Sequence, residues 1–460
     1  MSLIKSISGF RGTIGGRPND NLTPIDIVKF ASAYGSWLIN NKPGPKKVVV
    51  GRDGRMSGEM VEALVEQSLL ALGIDVIHLG LSTTPTVEMA VVFEKADGGI
   101  ILTASHNPKE WNALKLLNEK GEFVSGEEGK VILNLAVNED FNYAAVDNMG
   151  KIIANQNSLE KHIDAILAYP LIDVNAIKAA NFSVVVDAIN SSGAFTVPAL
   201  LKAIGVDQIK VLNEEMSGNF AHNPEPLKEH LTELCTTVIN EKAHLGIAVD
   251  PDVDRLCFVS EDGELFGEEY TLVAVADYIL QNKKGSTVSN LSSTRALRDV
   301  TEKYDCTYYA SAVGEVNVVT MMKNQNAVIG GEGNGGIIVP DLHYGRDALI
   351  GIALFLTHLA KCKLSASALR ASYPAYFMSK KKMDLDGNIS LDKIFATLEA
   401  KFGQYPINKV DGLKIDFDNT WVHLRSSNTE PIIRIYTEAP SQKEADELAN
   451  EIIAIIGTIK

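Results

Sequence analysis

Residues 101–115 read Ile-Leu-Thr-Ala-Ser-His-Asn-Pro-Lys-Glu-Trp-Asn-Ala-Leu-Lys, and the rest of the chain is read outward from them. The apolar run from Gly99 to Leu102 reads as a buried strand that stops at Thr103. A Ser-His-Asn-Pro turn follows, and ligands of open α/β sheets gather at the carboxyl ends of strands. Ser105, held there with Lys115 further on, reads as a nucleophile able to carry a phosphoryl group. The competing reading is an ordinary loop in which Ser105 and Asn107 cap a helix starting near Pro108. This segment alone leaves both standing.

Strands and helices alternate around it. Lys47 to Val50 and Val76 to Leu79 read as strands, and Met60 to Leu72 and Pro85 to Phe93 as helices, the latter capped by Thr84. Such alternation predicts a parallel or mixed sheet between helices. A polar stretch from Gly126 to Ser158 carries the first expected boundary. A second unit of the same kind runs from the strand Ser183 to Val186 to the strand Leu245 to Val249, with a helix over Leu227 to Asn240. A third includes the strand Thr287 to Leu291, and a smaller unit follows Tyr373-Pro374, closing on a helix opened by a Ser441/Glu444 capping box. The expected domains are 1–150, 151–255, 256–373 and 374–460. Three times a short apolar strand enters a polar loop and a second apolar run leaves it, at Ser105, Asp250 and Glu332.

At 460 residues the chain exceeds the size at which one core keeps growing, which agrees with several domains. The formal charge of −15 argues against nucleic acid or an anionic membrane as partner. Any phosphate pocket must therefore be locally basic. Cys235, Cys257, Cys306 and Cys362 have no paired short spacing and read as packing residues. Met1 to Arg11 holds no signal-like apolar stretch, and no run of about 18 apolar residues occurs, so a cytoplasmic location is expected.

Asp250-Pro-Asp252-Val-Asp254-Arg255 sets three carboxylates at alternate positions after a strand, an oxygen set suited to Mg²⁺. An EF-hand would continue to Glu261, but Arg255 stands where its sharp turn needs Gly. An aspartyl nucleophile, with Asp250 attacking phosphate and Asp252 as acid/base, is an open alternative. Arg425-Ser-Ser-Asn-Thr-Glu-Pro-Ile-Ile-Arg434 gathers guanidinium and hydroxyl donors of the kind phosphate favours. Gly330-Gly-Glu-Gly-Asn-Gly-Gly336 lacks the Lys-Ser/Thr ending of a Walker loop; its backbone would let Glu332 and Asn334 approach a polyhydroxyl ligand. Arg11 and the Gly51-Arg52-Asp53-Gly-Arg55 segment are candidate sources of positive charge, and His106 and His343 candidate proton carriers.

Together these segments resemble the α-D-phosphohexomutase family. Thr103-Ala-Ser105-His-Asn-Pro108 resembles its phosphoserine loop, and Asp250 to Arg255 its metal loop. Glu332-Gly-Asn334-Gly resembles its sugar loop, and Arg425 to Arg434 its phosphate loop. The resemblance implies three similar α/β domains and a smaller α+β domain around a central cleft. It also implies transfer of phosphate between the 1- and 6-positions of a hexose through a hexose 1,6-bisphosphate. Ser105 would carry the phosphoryl group, and Mg²⁺ would sit on Asp250, Asp252, Asp254 and Ser105. Lys115 would be the general acid/base, its pKa lowered by Arg11 and Mg²⁺, with His106 nearby. Glu332 and Asn334 would hold sugar hydroxyls; Arg425, Ser427, Asn428, Thr429 and Arg434 would hold the non-reacting phosphate, and Arg255 would contact the substrate. The Glu-Gly-Asn-Gly-Gly loop looks most like members acting on glucosamine phosphate, with mannose and glucose phosphates next. A small phosphosugar is the implied partner of a monomer or homodimer. A sugar phosphatase and a non-catalytic sugar-phosphate binder are the other readings. Two departures stand out: Ala113 replaces a frequent Gly ahead of the Lys, and Gly336 replaces a His found in several members.

Overall fold

The computed structural model describes residues 2–6, 9–41, 43–384, 390–426 and 432–459. Its chain forms two compact units: Met1–Thr271 with Asn334–Ala368, and Leu272–Gly333 with Leu369–Lys460.

In the first unit a seven-stranded mixed sheet is built outward from the strand Gly98–Leu102. Lys46–Arg52, Ile74–Leu81 and Ile152–Ala154 follow in parallel on one side. Trp111–Leu117, Gly9–Thr13 and Ile4–Ser6 are antiparallel on the other. Successive strand residues face opposite sides. Val48 and Val50 therefore join one core with the helices Pro24–Asn41 and Gly58–Ala71, while Val49 joins another beneath the helix Thr84–Phe93. A strand buried on both faces needs an unbroken apolar run, which Val48-Val49-Val50 supplies. A second, four-stranded sheet has the order Leu256–Ser260, Leu245–Val249, Ser183–Asp187, Gln208–Leu212, with only the first strand antiparallel. The helix Ala348–Cys362 belongs to this unit and stacks Phe355 on Phe258 at 3.9 Å between ring centroids.

The second unit holds three parallel strands, Tyr308–Ser311, Thr287–Asn290 and Ile329–Glu332. It also holds a five-stranded antiparallel sheet ordered Phe377–Asp384, Ile432–Ala439, Trp421–Ser426, Leu413–Asp416, Ile407–Asn408. Its core is Ile394 and Leu398 of the helix Leu391–Phe402 and Ile452 and Ile456 of the helix Gln442–Gly457, packed on Leu413, Val422, Leu424 and Ile433.

Several expectations change. The residues after Pro108 form a turn into a strand, not a helix, because antiparallel pairing with Gly9–Thr13 claims their backbone. Thr83, not Thr84, caps the helix Thr84–Phe93, accepting from Thr86 N. The helix expected from Leu227 begins at Thr232, its first residues being spent in turns. Ser441 accepts from Glu444 N, but the Glu444 carboxylate accepts from the Ser441 hydroxyl rather than from its backbone amide, so only half of the capping box forms there. The complete box is at Ser125 and Glu128. Among the described residues no helix is long and apolar enough to cross a membrane.

Candidate active site

Ser105 is buried at the end of the strand Gly98–Leu102, with φ 51°, a left-handed conformation uncommon for a residue with a side chain. Arg55 holds the loop there. Its guanidinium, 1 % exposed as a residue, donates to the carbonyls of Ser105, Asn107, Pro108 and Trp111 and to Asp53 Oδ2. Asp53 in turn accepts from Thr103 Oγ1, which receives Ser105 N. Arg52 is spent on Glu62 at 2.9 Å. The segment expected to bring charge to a ligand is thus a scaffold for the serine loop.

Ser105 Oγ donates to Asp250 Oδ2 at 2.7 Å and lies 3.4 Å from His106 Nδ1. Two of the three strand–loop–strand motifs therefore meet. Asp250, Asp252 and Asp254 are fully buried, with carboxylate oxygens within 4.8 Å of one another. Asp250 Oδ1 accepts from the amides of Asp254 and Arg255, turning the loop back on itself. Val253 at its crest has φ 61°, an outlier for a β-branched residue and a local store of strain. No EF-hand forms: Leu256–Ser260 is a strand, and Glu261 bonds to Ser367.

Cations answer part of this charge. Lys115 Nζ reaches Asp252 Oδ2 at 2.7 Å and Asp254 Oδ2 at 3.3 Å. Arg346 Nη2 donates to Asp254 Oδ2 at 2.7 Å, and Thr84 Oγ1 to Asp252 Oδ2 at 2.6 Å. Burial works to lower the Lys115 pKa, but Asp252 and Asp254 outweigh it and the net shift is upward. The sequence hides this pairing of the lysine to two carboxylates. Burial, with repulsion from Asp252 and Asp254, pushes Asp250 well above the ordinary carboxylate range, while Lys115 overcomes burial to hold Asp252 below it. His106 is driven well below its usual value by burial and by Arg255, Arg11 and Arg346. Arg11 shares a sheet face with Lys115, its strand pairing placing it opposite Ala113, and it donates to Asn107 Oδ1 at 2.8 Å. Arg255 pairs with Glu225 at 3.1 Å.

Asp252 Oδ1 and Asp254 Oδ1 are buried without a hydrogen-bond partner. Orphaned buried carboxylate oxygens are costly unless a cation takes them. Three converging hard oxygen donors fit a divalent metal ion. Asn334, in the same unit, uses its Oδ1 to receive Gly336 N at 3.2 Å.

In the second unit, Glu332 Oε1 accepts from Asn290 Nδ2 at 3.0 Å and Gly314 N at 3.1 Å. Lys382, Arg434 and Arg425 lie directly opposite one another on three adjacent strands, a row of three cations on one face. Like charges in that arrangement repel, so the row is disposed to take an anion. Ser427, Asn428 and Thr429 lie outside the described residues.

The chain matches four consecutive domain profiles. These are phosphoglucomutase/phosphomannomutase alpha/beta/alpha domains I, II and III over residues 4–143, 160–263 and 267–376, and the C-terminal domain over 384–455. The chain belongs to the phosphoglucomutase/phosphomannomutase family. It has that family's three α/β domains and smaller C-terminal domain. A phosphoglucomutase/phosphomannomutase of Thermococcus kodakarensis is 36% identical over 95% of this chain and 96% of its own length. A phosphoglucosamine/phosphogalactosamine mutase of Sulfurisphaera tokodaii is 30% identical over 99% of each. The crystal structure of a family protein from Burkholderia thailandensis superposes with a TM-score of 0.86 at 24% identity, covering 99% of this chain and 97% of that one.

Sequence reasoning missed Arg346, Thr84 and Asn107. Only Arg346 had a readable signal, an arginine just before the Asp347 that caps the helix Ala348–Cys362.

Proposed function

We propose that this enzyme moves a phosphoryl group between the 1- and 6-oxygens of a hexose phosphate, through a hexose 1,6-bisphosphate, with glucosamine phosphate as its preferred substrate. The observation that carries the reading is the Ser105–Asp250 hydrogen bond, which joins a buried serine to an acidic triad with two orphaned oxygens. Ser105 accepts and returns the phosphoryl group; its strained loop fixes the hydroxyl so that little reorganisation is needed. When bound, Mg²⁺ on Asp250, Asp252, Asp254 and the Ser105 phosphate would offset charge in a loose transition state. Lys115 holds the proton that moves between enzyme and sugar hydroxyl; Arg11 lies on the same sheet face and neutral His106 beside the Ser105 hydroxyl, both assisting the transfer. Glu332 and Asn334 take sugar hydroxyls. Arg255 contacts the substrate. Arg425, Arg434 and, on the family motif, Ser427, Asn428 and Thr429 take the non-reacting phosphate.

The glucosamine preference rests on the Glu-Gly-Asn-Gly-Gly loop and on relatives named for that sugar, one of them 30% identical. A mannose or glucose preference is the second reading, supported by the name of the 36% identical relative. An aspartyl phosphatase is disfavoured, since Asp250 spends Oδ1 on two amides and Oδ2 on Ser105. A non-catalytic binder would not need Lys115 and all three aspartates. We place the enzyme in the cytoplasm, as monomer or homodimer, with domains at 1–150, 151–255, 256–373 and 374–460.

The test is a coupled assay on glucosamine, mannose and glucose 6-phosphates with a bisphosphate activator. Turnover highest on glucosamine 6-phosphate supports the reading; absence of turnover on all three refutes it.

A further inference from the structure

One loop of the second unit touches both the candidate sugar residue and the candidate phosphate arginine. The loop after the strand Tyr308–Ser311 presents two successive amides to two different carboxylates. Gly314 N donates to Glu332 Oε1 at 3.1 Å, and Val313 N to Asp411 Oδ2 at 3.0 Å. Asp411 Oδ2 also lies 3.8 Å from Arg425 Nε, on the strand where Arg425 faces Arg434. Asp411 is therefore a counter-charge to one of two opposed arginines.

Its position is fixed from behind. Gly412 has φ +77°, and a Cβ there would fall 2.1 Å from Leu424 O, so the turn that presents Asp411 requires glycine. The Asp411 carbonyl accepts from His423 Nε2 at 2.6 Å, while His423 Nδ1 lies 2.9 Å from Ser292 Oγ. Burial lowers the His423 pKa to about 4, so the ring is neutral, donating at Nε2 and accepting at Nδ1. Ser292 N in turn bonds Asn290, whose amide holds Glu332. Two routes thus connect Glu332 to Asp411.

We infer that Asp411 is a positioning residue that couples sugar recognition at Glu332 to phosphate recognition at Arg425 through the Val313–Gly314 amides. The inference rests on the mutase reading, which assigns those two residues to the two ends of one substrate. A phosphate that draws Arg425 forward relieves Asp411 of its charge partner, leaving the carboxylate to the amide beside the one that holds Glu332.

The test compares Asp411→Ala and Asp411→Asn with the parent enzyme, reading KM for glucosamine 6-phosphate and inhibition by inorganic phosphate. Asp411→Ala loses the amide acceptor, so KM rises about tenfold, the equivalent of one lost interaction of ordinary size. Inhibition by inorganic phosphate does not weaken, because a negative charge beside Arg425 is gone. Parallel weakening of both, or no change in KM, overturns the inference. Should the alanine variant not fold, a double-mutant cycle of Asp411→Asn with Glu332→Gln decides: a coupling of about threefold or more in KM supports it, and additivity overturns it. A parent enzyme that binds phosphate but turns over no hexose phosphate refutes the mutase reading itself, and the coupling with it, before any variant is compared.

Discussion

Arg346 Nη2 donates to Asp254 Oδ2 at 2.7 Å, beside the Lys115 ammonium 3.3 Å from the same oxygen. The neighbouring Asp347 caps the helix Ala348–Cys362, so a rigid element steers this charge into the triad. Replacing Arg346 by Met should leave Lys115 drawn toward Asp254 and cost about ten- to a hundredfold in kcat/KM, the usual worth of a charged hydrogen bond. Steady-state kinetics with a Mg²⁺ titration check it, Arg346→Lys recovering part of the loss.

Arg55 makes its contribution through shape. Arg55→Met removes a buried guanidinium bonded to four carbonyls and leaves the Asp53 carboxylate uncompensated. A loss of about 3–5 kcal/mol is expected. Thermal unfolding should show it as a marked fall in Tm, with Ser105 reactivity falling too because its loop loses its frame.

The half-buried His343 gives a pH dependence of stability. Burial opposes its charge, but Asp347 at 3.2 Å and Glu88 at 3.3 Å raise its pKa to about 10. The folded state then binds a proton that the unfolded chain, at its ordinary value of 6.5, releases. This contribution is complete below pH 6.5 and is lost as pH rises from 6.5 to 10, at about 1.4 kcal/mol per tenfold change in proton affinity. Lys414, lowered to about 8 chiefly by burial, acts oppositely at higher pH. The signal is therefore the difference between parent and His343→Gln: Tm of the parent should decline more steeply above pH 6.5.

Metal removal should act on stability as well as turnover. Chelation leaves three buried carboxylates answered, among the described residues, by Lys115, Arg346, Arg255 and backbone or hydroxyl donors. Mg²⁺ at a hundredfold excess over its dissociation constant should add about 2.7 kcal/mol. Differential scanning calorimetry should find that increment in the parent enzyme and little of it in Asp252→Asn.

Much of this was legible in the primary structure. Lys47 to Val50 reads as a strand and is part of one, and Ser105, Lys115 and the three aspartates are picked out by their motifs. What stayed hidden depended on pairing between distant segments. Arg55 looked like a ligand for anions because nothing in Gly51-Arg52-Asp53-Gly-Arg55 reveals four carbonyls converging on it. Thr84 looked like a cap until its hydroxyl was seen on Asp252. The direction of the Lys115 shift likewise depends on two carboxylates more than a hundred residues away. The strand Gly9–Thr13, too short and glycine-rich to read, is what carries Arg11 beside that lysine.

The central claim is that Ser105 carries the phosphoryl group. Intact-mass and peptide mapping of the purified enzyme, before and after incubation with glucose 1,6-bisphosphate, test it most directly. The account predicts one phosphoryl group on Ser105, and no turnover in Ser105→Ala. Full turnover by that variant, or a phosphoryl group found on Asp250 instead, would contradict it.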